Sequence, residues 1–324
     1  MSPAPIRSMS EGALCPADEH QRNQADEPKR IAEFTIPLDN YPKAISHIAK
    51  MPGGSQSHLL RCSDGYYVVK FQDNPQGTRT LVNELICANL AGLLRLPIPD
   101  SKIIQVSQEV ITSHKIFTEW PHGSALCRPG LSFGSRHPGN RTLVFTRLSK
   151  DRMRDVENLT ELAGVLLFDL WTSNLDAREI LFFRRPEQLV MRASMIDSGQ
   201  CFRGSKWSFH PARRLAPHPN SHYFSWISGV ESFDPWLSLI EQLDESVVQE
   251  AWRAVPSEWY QEDWPLLKML LRRLDARRKG LRAAVRLFCA DDTSAFPAFR
   301  SRGAVAVQGQ KGESGQIRPK GGRG

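Results

Sequence analysis

Apolar residues fall into two textures along the chain. From about residue 45 to 120 the pattern is strand-rich. HLLRC (58–62), a turn at Ser63-Asp64-Gly65 and YYVVKF (66–71) predict a β-hairpin. TLVNELICANLAGLLRL (80–96) carries apolar residues at i, i+3 and i+4 and predicts a helix that Pro97 and Pro99 end. KIIQV (102–106), KIFTEW (115–120) and VFTRL (144–148) read as further strands. The Gly-, Pro- and Ser-rich stretch 121–141 reads as a crossing between lobes. From about 155 the texture turns helical. NLTELAGVLLFDLWTSN (158–174) predicts a strongly apolar helix, and ILFF (180–183) with VMRASMID (190–197) a short hairpin. Further helices are expected near 234–254 and 262–289, separated by VPSEWY (255–260).

These elements predict an α+β fold of two lobes, a small β-rich one followed by a larger helical one. The expected organisation is a disordered tail over 1–36, a first lobe over 37–140, a helical lobe over 141–290 and a disordered basic tail over 291–324. A chain of 324 residues is long enough for this. No run reaches the roughly 18 apolar residues of a membrane span, and the N-terminus lacks the apolar core of a signal peptide. Six scattered cysteines without a CxxC pair exclude a zinc ribbon. Together these features predict a cytoplasmic protein. The net charge of +7 is concentrated in KMLLRRLDARRKGLRAAVR (268–286), an amphipathic pattern whose basic face suits either a nucleic acid or plain solvent.

Several polar residues sit where the pattern does not call for them. Gly53, Gly54, Ser55, Gln56 and Ser57 form a Gly-rich turn before the hairpin, able to bring backbone N–H groups to phosphate oxygens or to serve as an ordinary loop. Lys70 ends an apolar strand and requires anionic partners if buried. Glu84 on the next helix could be one; a snorkelling lysine beside an exposed glutamate fits these two residues as well. Asp176 follows the apolar helix, and Asp197 ends a strand in MIDSG. A hairpin between them brings the two carboxylates together. One could orient a hydroxyl, and the other, on an Asp-x-Gly turn, could hold Mg²⁺ against phosphates.

Glycine turn, strand lysine, helix glutamate, loop aspartate, hairpin and Asp-x-Gly occur in that order. With MPGGSQSHLLRCSDGYYVVKFQDNPQG (51–77), NELICANLAGLLRLPIP (83–99), FGSR (133–136), FDLWTSNLD (168–176), MIDSGQCF (195–202) and VPSEWY, the chain resembles the HipA-like kinases. The resemblance implies a protein-kinase-like fold and an ATP- and Mg²⁺-dependent phosphotransferase acting on a protein Ser or Thr. It implies that Lys70 contacts the nucleotide phosphates with Glu84 as partner, and that Gly53, Gly54, Ser55 and Gln56 cover them. Asp176 would be the catalytic aspartate, Asn174 its brace and Asp197 the metal ligand.

The chain departs from the kinase pattern at position 181, where Leu replaces the expected Asn; Glu179 is the nearest substitute ligand. This keeps open an ATP-binding pseudokinase that regulates a partner, as well as a small-molecule kinase on the same fold. The resemblance further suggests autophosphorylation at Ser55 or Ser57 and an antitoxin-like or regulatory protein partner. His210, His218 and His222 lie near Arg213 and Arg214 where kinases carry an activation loop. Pro217 and Pro219 break the helical spacing that a histidine metal site would need.

Overall fold

The computed structural model describes residues 40–139, 141–209, 221–291 and 295–299. The first part is built on a five-stranded antiparallel sheet in the order β1-β2-β3-β7-β4. Its strands are β1 (Ala44–Lys50), β2 (His58–Cys62), β3 (Gly65–Lys70), β4 (Ser101–Val106) and β7 (Gly130–Arg136). The expected β2–β3 hairpin forms, with Cys62 opposite Gly65 and His58 opposite Val69.

Strand alternation gives the sheet two buried faces. Tyr67, Val69 and Phe71 point to one side, where they pack with Leu60, Ile104 and Ile111 of α2 (Gln108–His114). Ile103, Leu131 and Phe133 point to the other, against α1 (Arg79–Leu93). The even positions of β3 therefore face α1, and Lys70 is one of them.

Two sequence expectations are corrected here. The stretch 121–141 is not a crossing: it contains β7, which sits between β3 and β4 in the sheet. One of its glycines has a packing cause, because a Cβ at Gly134 would collide with Cγ1 of Ile104 on the adjacent strand. The strand expected at 115–120 does form, as β5 (Phe117–Trp120), but among the described residues it pairs only with β6 (Gly123–Leu126), outside the main sheet.

The second part is helical around a three-stranded sheet, β10-β9-β8. Here β8 (Leu143–Phe145) pairs with β9 (Glu179–Arg184), which pairs with β10 (Arg192–Ile196). The central helix α3 (Glu161–Thr172) is buried from Leu162 to Thr172. Around it lie α4 (Trp236–Gln242), α5 (Glu245–Glu250), α6 (Trp264–Arg278) and α7 (Leu281–Asp291). Most of the expected tails lies outside the described residues, but Ala295 and Phe296 are buried, the latter beside Phe224 and Phe288.

The basic stretch 268–286 forms two helices, interrupted at Lys279-Gly280; Arg272, Arg273, Lys279 and Arg286 are exposed, while other basic residues are tied inward. Arg277 donates to the carbonyls of Leu170 and Trp171 at 2.7 and 2.8 Å, closing the C-terminal end of α3. Arg278 is buried against Asp275 and the Leu243 carbonyl, and Arg282 pairs with Glu241.

Residues 251–263 bolt the two parts together. Gln72 donates to Glu258 at 2.6 Å, Trp259 to the Leu131 carbonyl at 3.1 Å, and Asn89 to the Ala251 carbonyl at 2.5 Å. Arg79, at the start of α1, pairs with Asp263. The segment around VPSEWY thus fixes α1 from outside.

Candidate active site

Lys70 reaches across from β3 to α1 and the end of β10. It is buried, and its Nζ donates to Glu84 Oε1 and, at 2.8 Å, to Asp197 Oδ1. Glu84 turns its other oxygen to the Ser198 backbone N–H at 2.9 Å. One glutamate thereby holds both the lysine and the turn after Asp197. Burial would push the lysine pKa down, but the two carboxylates outweigh it and hold Lys70 above the ordinary lysine value. Burial raises the Glu84 carboxyl. Asp197 is held below the usual aspartate range because Lys70 overrides its own desolvation. The surface reading of Lys70 is therefore set aside.

The turn is tight. Asp197 has a left-handed backbone, φ 57°, which aims its carboxylate back at Lys70. Two residues on, a Cβ at Gly199 would meet Glu84 Oε1 at 3.3 Å and Thr80 Cβ at 3.4 Å, so a glycine lets the chain lie against α1.

The loop after α3 is organised by a buried pair that the sequence reading did not single out. Ser173, left-handed at φ 56°, ends the helix. Asp169, one turn earlier, accepts from the Asn174 backbone at 3.1 Å and from Asn174 Nδ2 at 3.1 Å, and forms a buried ion pair with Arg178. Arg178 also donates to the carbonyls of Ile196 and Asp197, at 3.0 and 2.9 Å, and to Ser198 Oγ at 3.0 Å. The signal that could have found the pair was a carboxylate inside an otherwise apolar helix, since a buried charge needs a buried counter-charge.

Between these anchors Asp176 is exposed and makes no hydrogen bond or ion pair among the described residues. Glu179 opens β9 nearby with access to solvent. Partial burial and then the neighbouring carboxylates Asp197 and Asp176 push its carboxyl above the usual range. Leu181 lies two residues further along β9, opposite Ser194. Among the described residues no three His, Cys, Asp or Glu side chains could hold a metal ion unaided.

The glycine turn joins β1 to β2. Gly53 needs its φ of 118°, and the chain closes with Met51 N–H on the Ser57 carbonyl at 2.8 Å. The Gln56 side chain is engaged within the protein. Its amide is occupied by the β5–β6 hairpin, donating to the Glu119 carbonyl at 2.6 Å and accepting from the Glu119 N–H at 2.8 Å. It positions the loop rather than offering a free side chain to a ligand. An open cavity of about 590 Å³ lies here, lined by Lys50, Met51, Pro52, Gly53, Gln56 and Glu119, and it does not include Lys70 or Asp197. Ser55 and Ser57 are both buried. His222 binds the Leu148 carbonyl at 2.9 Å, while His210, His218, Arg213 and Arg214 lie outside the described residues.

Among solved structures, the Golgi casein kinase is similar over 83% of this chain and 78% of its own, with 14% identity and a TM-score of 0.46. The proinflammatory kinase CtkA of Helicobacter pylori is similar over 74% of this chain and 94% of its own, at 10% identity and TM-score 0.46. HipA of Shewanella oneidensis MR-1, solved with HipB and operator DNA, is similar over 86% and 76%, at 13% identity and TM-score 0.42. No curated protein matches. The family model described as HipA-like kinase matches residues 45–286, the stretch that holds the sheet, α1, the loop after α3 and the Asp-x-Gly turn; the chain belongs to the HipA-like kinase family and has a protein-kinase-like fold.

Proposed function

We propose that this chain is an ATP- and Mg²⁺-dependent kinase that phosphorylates a Ser or Thr of a protein. The observation that carries this is the position of Lys70, charged and held at once by Glu84 and Asp197. A lysine pinned this way has a third donor left for a phosphate oxygen. Asp197 and Glu179 would hold the ion: the donor set is all oxygen, as a hard cation requires, and Mg²⁺ takes few carboxylates when phosphates and waters complete its shell. When bound, Mg²⁺ neutralises phosphate charge.

Asp176 orients the acceptor hydroxyl and takes its proton. The new O–P bond forms as the bond between the β,γ-bridging oxygen and the γ-phosphorus breaks, and ADP leaves. Asn174, Asp169 and Arg178 keep the Asp176 loop and the Asp197 turn in register, so the work of the protein is positioning. Mg-ATP should raise the thermal midpoint of the wild type and leave that of Asp197→Asn unchanged. Equal stabilisation of both would remove Asp197 from the site.

Leu181 supports a second reading, a pseudokinase that binds ATP to regulate a protein partner of the antitoxin-like kind; it predicts binding without transfer. Autophosphorylation at Ser55 or Ser57 remains part of the kinase reading. Because both are buried, it requires the loop to turn outward, breaking the Gln56–Glu119 pair. Phosphate on either serine in the wild type but not in Asp176→Asn would support it.

A further inference from the structure

Asn83, the residue before Glu84 on α1, is fully buried. Its Nδ2 donates toward three backbone carbonyls, those of Gly199 at 2.8 Å and of Cys201 and Gly204 at 3.0 Å. Its Oδ1 accepts from Trp207 Nε1 at 2.8 Å. An amide has two N–H groups, so three acceptors share them, and Trp207 fixes which end of the amide faces the carbonyls.

The segment held in this way has an unusual backbone. Phe202 and Arg203 are left-handed in succession, at φ 57° and 62°, and Gly204 follows with a positive φ of 62°. Two of them are not glycine, so the conformation costs free energy and persists only where its surroundings impose it. The segment begins at Asp197, and the Ser198 N–H is already on Glu84. Two adjacent residues of one helix therefore grip both ends of residues 198–204. Arg79, one turn earlier, adds a bond to the Ser205 carbonyl at 2.8 Å and a stack on Trp207 at 4.9 Å.

A buried asparagine could merely satisfy carbonyls that packing has already placed. Two features argue for more: the strained run has Asn83 as its shared anchor, and the anchor is the immediate neighbour of the glutamate that holds Lys70. We propose that Asn83 is a positioning residue for Asp197: by pinning the left-handed run to α1 it sets the Asp197 carboxylate against Lys70 and Glu84. The part of this concerning metal rests on the kinase reading of Asp197; the part concerning the backbone does not.

Two variants of the full chain test it, Asn83→Ala and Trp207→Phe. The second keeps an aromatic ring for Arg79 while removing the donor that orients the amide, together with part of the buried ring. Hydrogen exchange of the Ser198 amide, without nucleotide, is the first readout. It should rise about ten-fold or more in Asn83→Ala while β2 and β3 amides hold, a local opening that general loss of stability would not single out. The second readout is ATP affinity with and without Mg²⁺. The gain that Mg²⁺ brings should fall by about ten-fold or more, as it does when groups orienting a metal ligand are removed, with metal-free ATP affinity unchanged. Trp207→Phe should show the same pattern more weakly. A folded Asn83→Ala protein with Ser198 still protected overturns the proposal. If that variant does not fold, unchanged Ser198 exchange in Trp207→Phe overturns it. Loss of protection together with a wild type indifferent to Mg²⁺ upholds the positioning role and refutes the metal reading of the site.

Discussion

Lys70 and Asp197 lie 127 residues apart in the chain, and their Nζ and Oδ1 atoms lie 2.8 Å apart in the fold. The contact joins the end of a strand in the first part to the end of a strand in the second. It forms because α1 carries Glu84 to both at once. A charge buried among apolar residues is costly unless such partners are built around it.

Lys70→Met should lower phosphotransfer by orders of magnitude. It should also destabilise the fold by about 3–5 kcal/mol, because Glu84 and Asp197 lose their shared counter-charge. Urea denaturation measures this. In the double variant with Glu84→Gln the losses should be less than additive, since one unpaired carboxylate is removed.

Arg178→Leu should destabilise by a similar amount, about 3–5 kcal/mol, by leaving Asp169 charged and alone in the core. Arg178→Lys should recover little, as an ammonium cannot serve Asp169, two backbone carbonyls and Ser198 together. Near-native urea midpoints for either variant would contradict the bracing role given to this pair.

What the sequence made visible was charge in apolar context and strong periodicity. Lys70, Glu84 and Asp197 stood out as charged residues in apolar segments, and the structure brings them together. The hairpin at 58–71 and the helix at 161–172 followed their periods. β7 was hidden because GLSFGSR looks like a loop; Gly134 is small on account of Ile104, a neighbour 30 residues away that no local pattern shows. Asp169 was absorbed into the apolar period of its helix, and the tie between Gln56 and Glu119 was hidden because the two are distant in sequence. In the basic stretch 268–286, Arg272, Arg273 and Arg286 are exposed as their period implies, whereas Arg277 and Arg278 point inward to carbonyls, which periodicity does not reveal.

His58 gives the fold a pH dependence separate from catalysis. Burial, then the charges of His47 and Lys50, push its pKa from 6.5 down to about 4. Between these values the unfolded chain binds a proton that the folded one does not, so stability rises with pH. It should be complete above about pH 6.5 and fall by about 3 kcal/mol toward pH 4 on account of this residue. In His58→Leu that part of the slope should vanish; an unchanged slope between pH 6.5 and 4 would refute it.

Glu179 makes the metal requirement pH-sensitive. Its raised carboxyl takes up a proton on acidification before the ordinary glutamate value of 4.5 is reached, and the protonated form does not bind a cation. The Mg²⁺ concentration for half-maximal ATP binding should therefore climb as pH falls from neutral toward that value. Glu179→Gln should bind Mg²⁺ more weakly and lose most of this climb. An identical climb in both would exclude Glu179 as a ligand.

The most direct test of the central claim is transfer itself. Wild type and Asp176→Asn are incubated with γ-labelled ATP and Mg²⁺, and label is followed into protein by mass spectrometry. The account predicts phosphate on a Ser or Thr in the wild-type reaction, dependent on Mg²⁺, and at least about a hundred-fold less in Asp176→Asn, whose amide cannot take the hydroxyl proton. Mg²⁺-dependent ATP binding with no transfer to any protein by the wild type, or equal labelling by both, would contradict it.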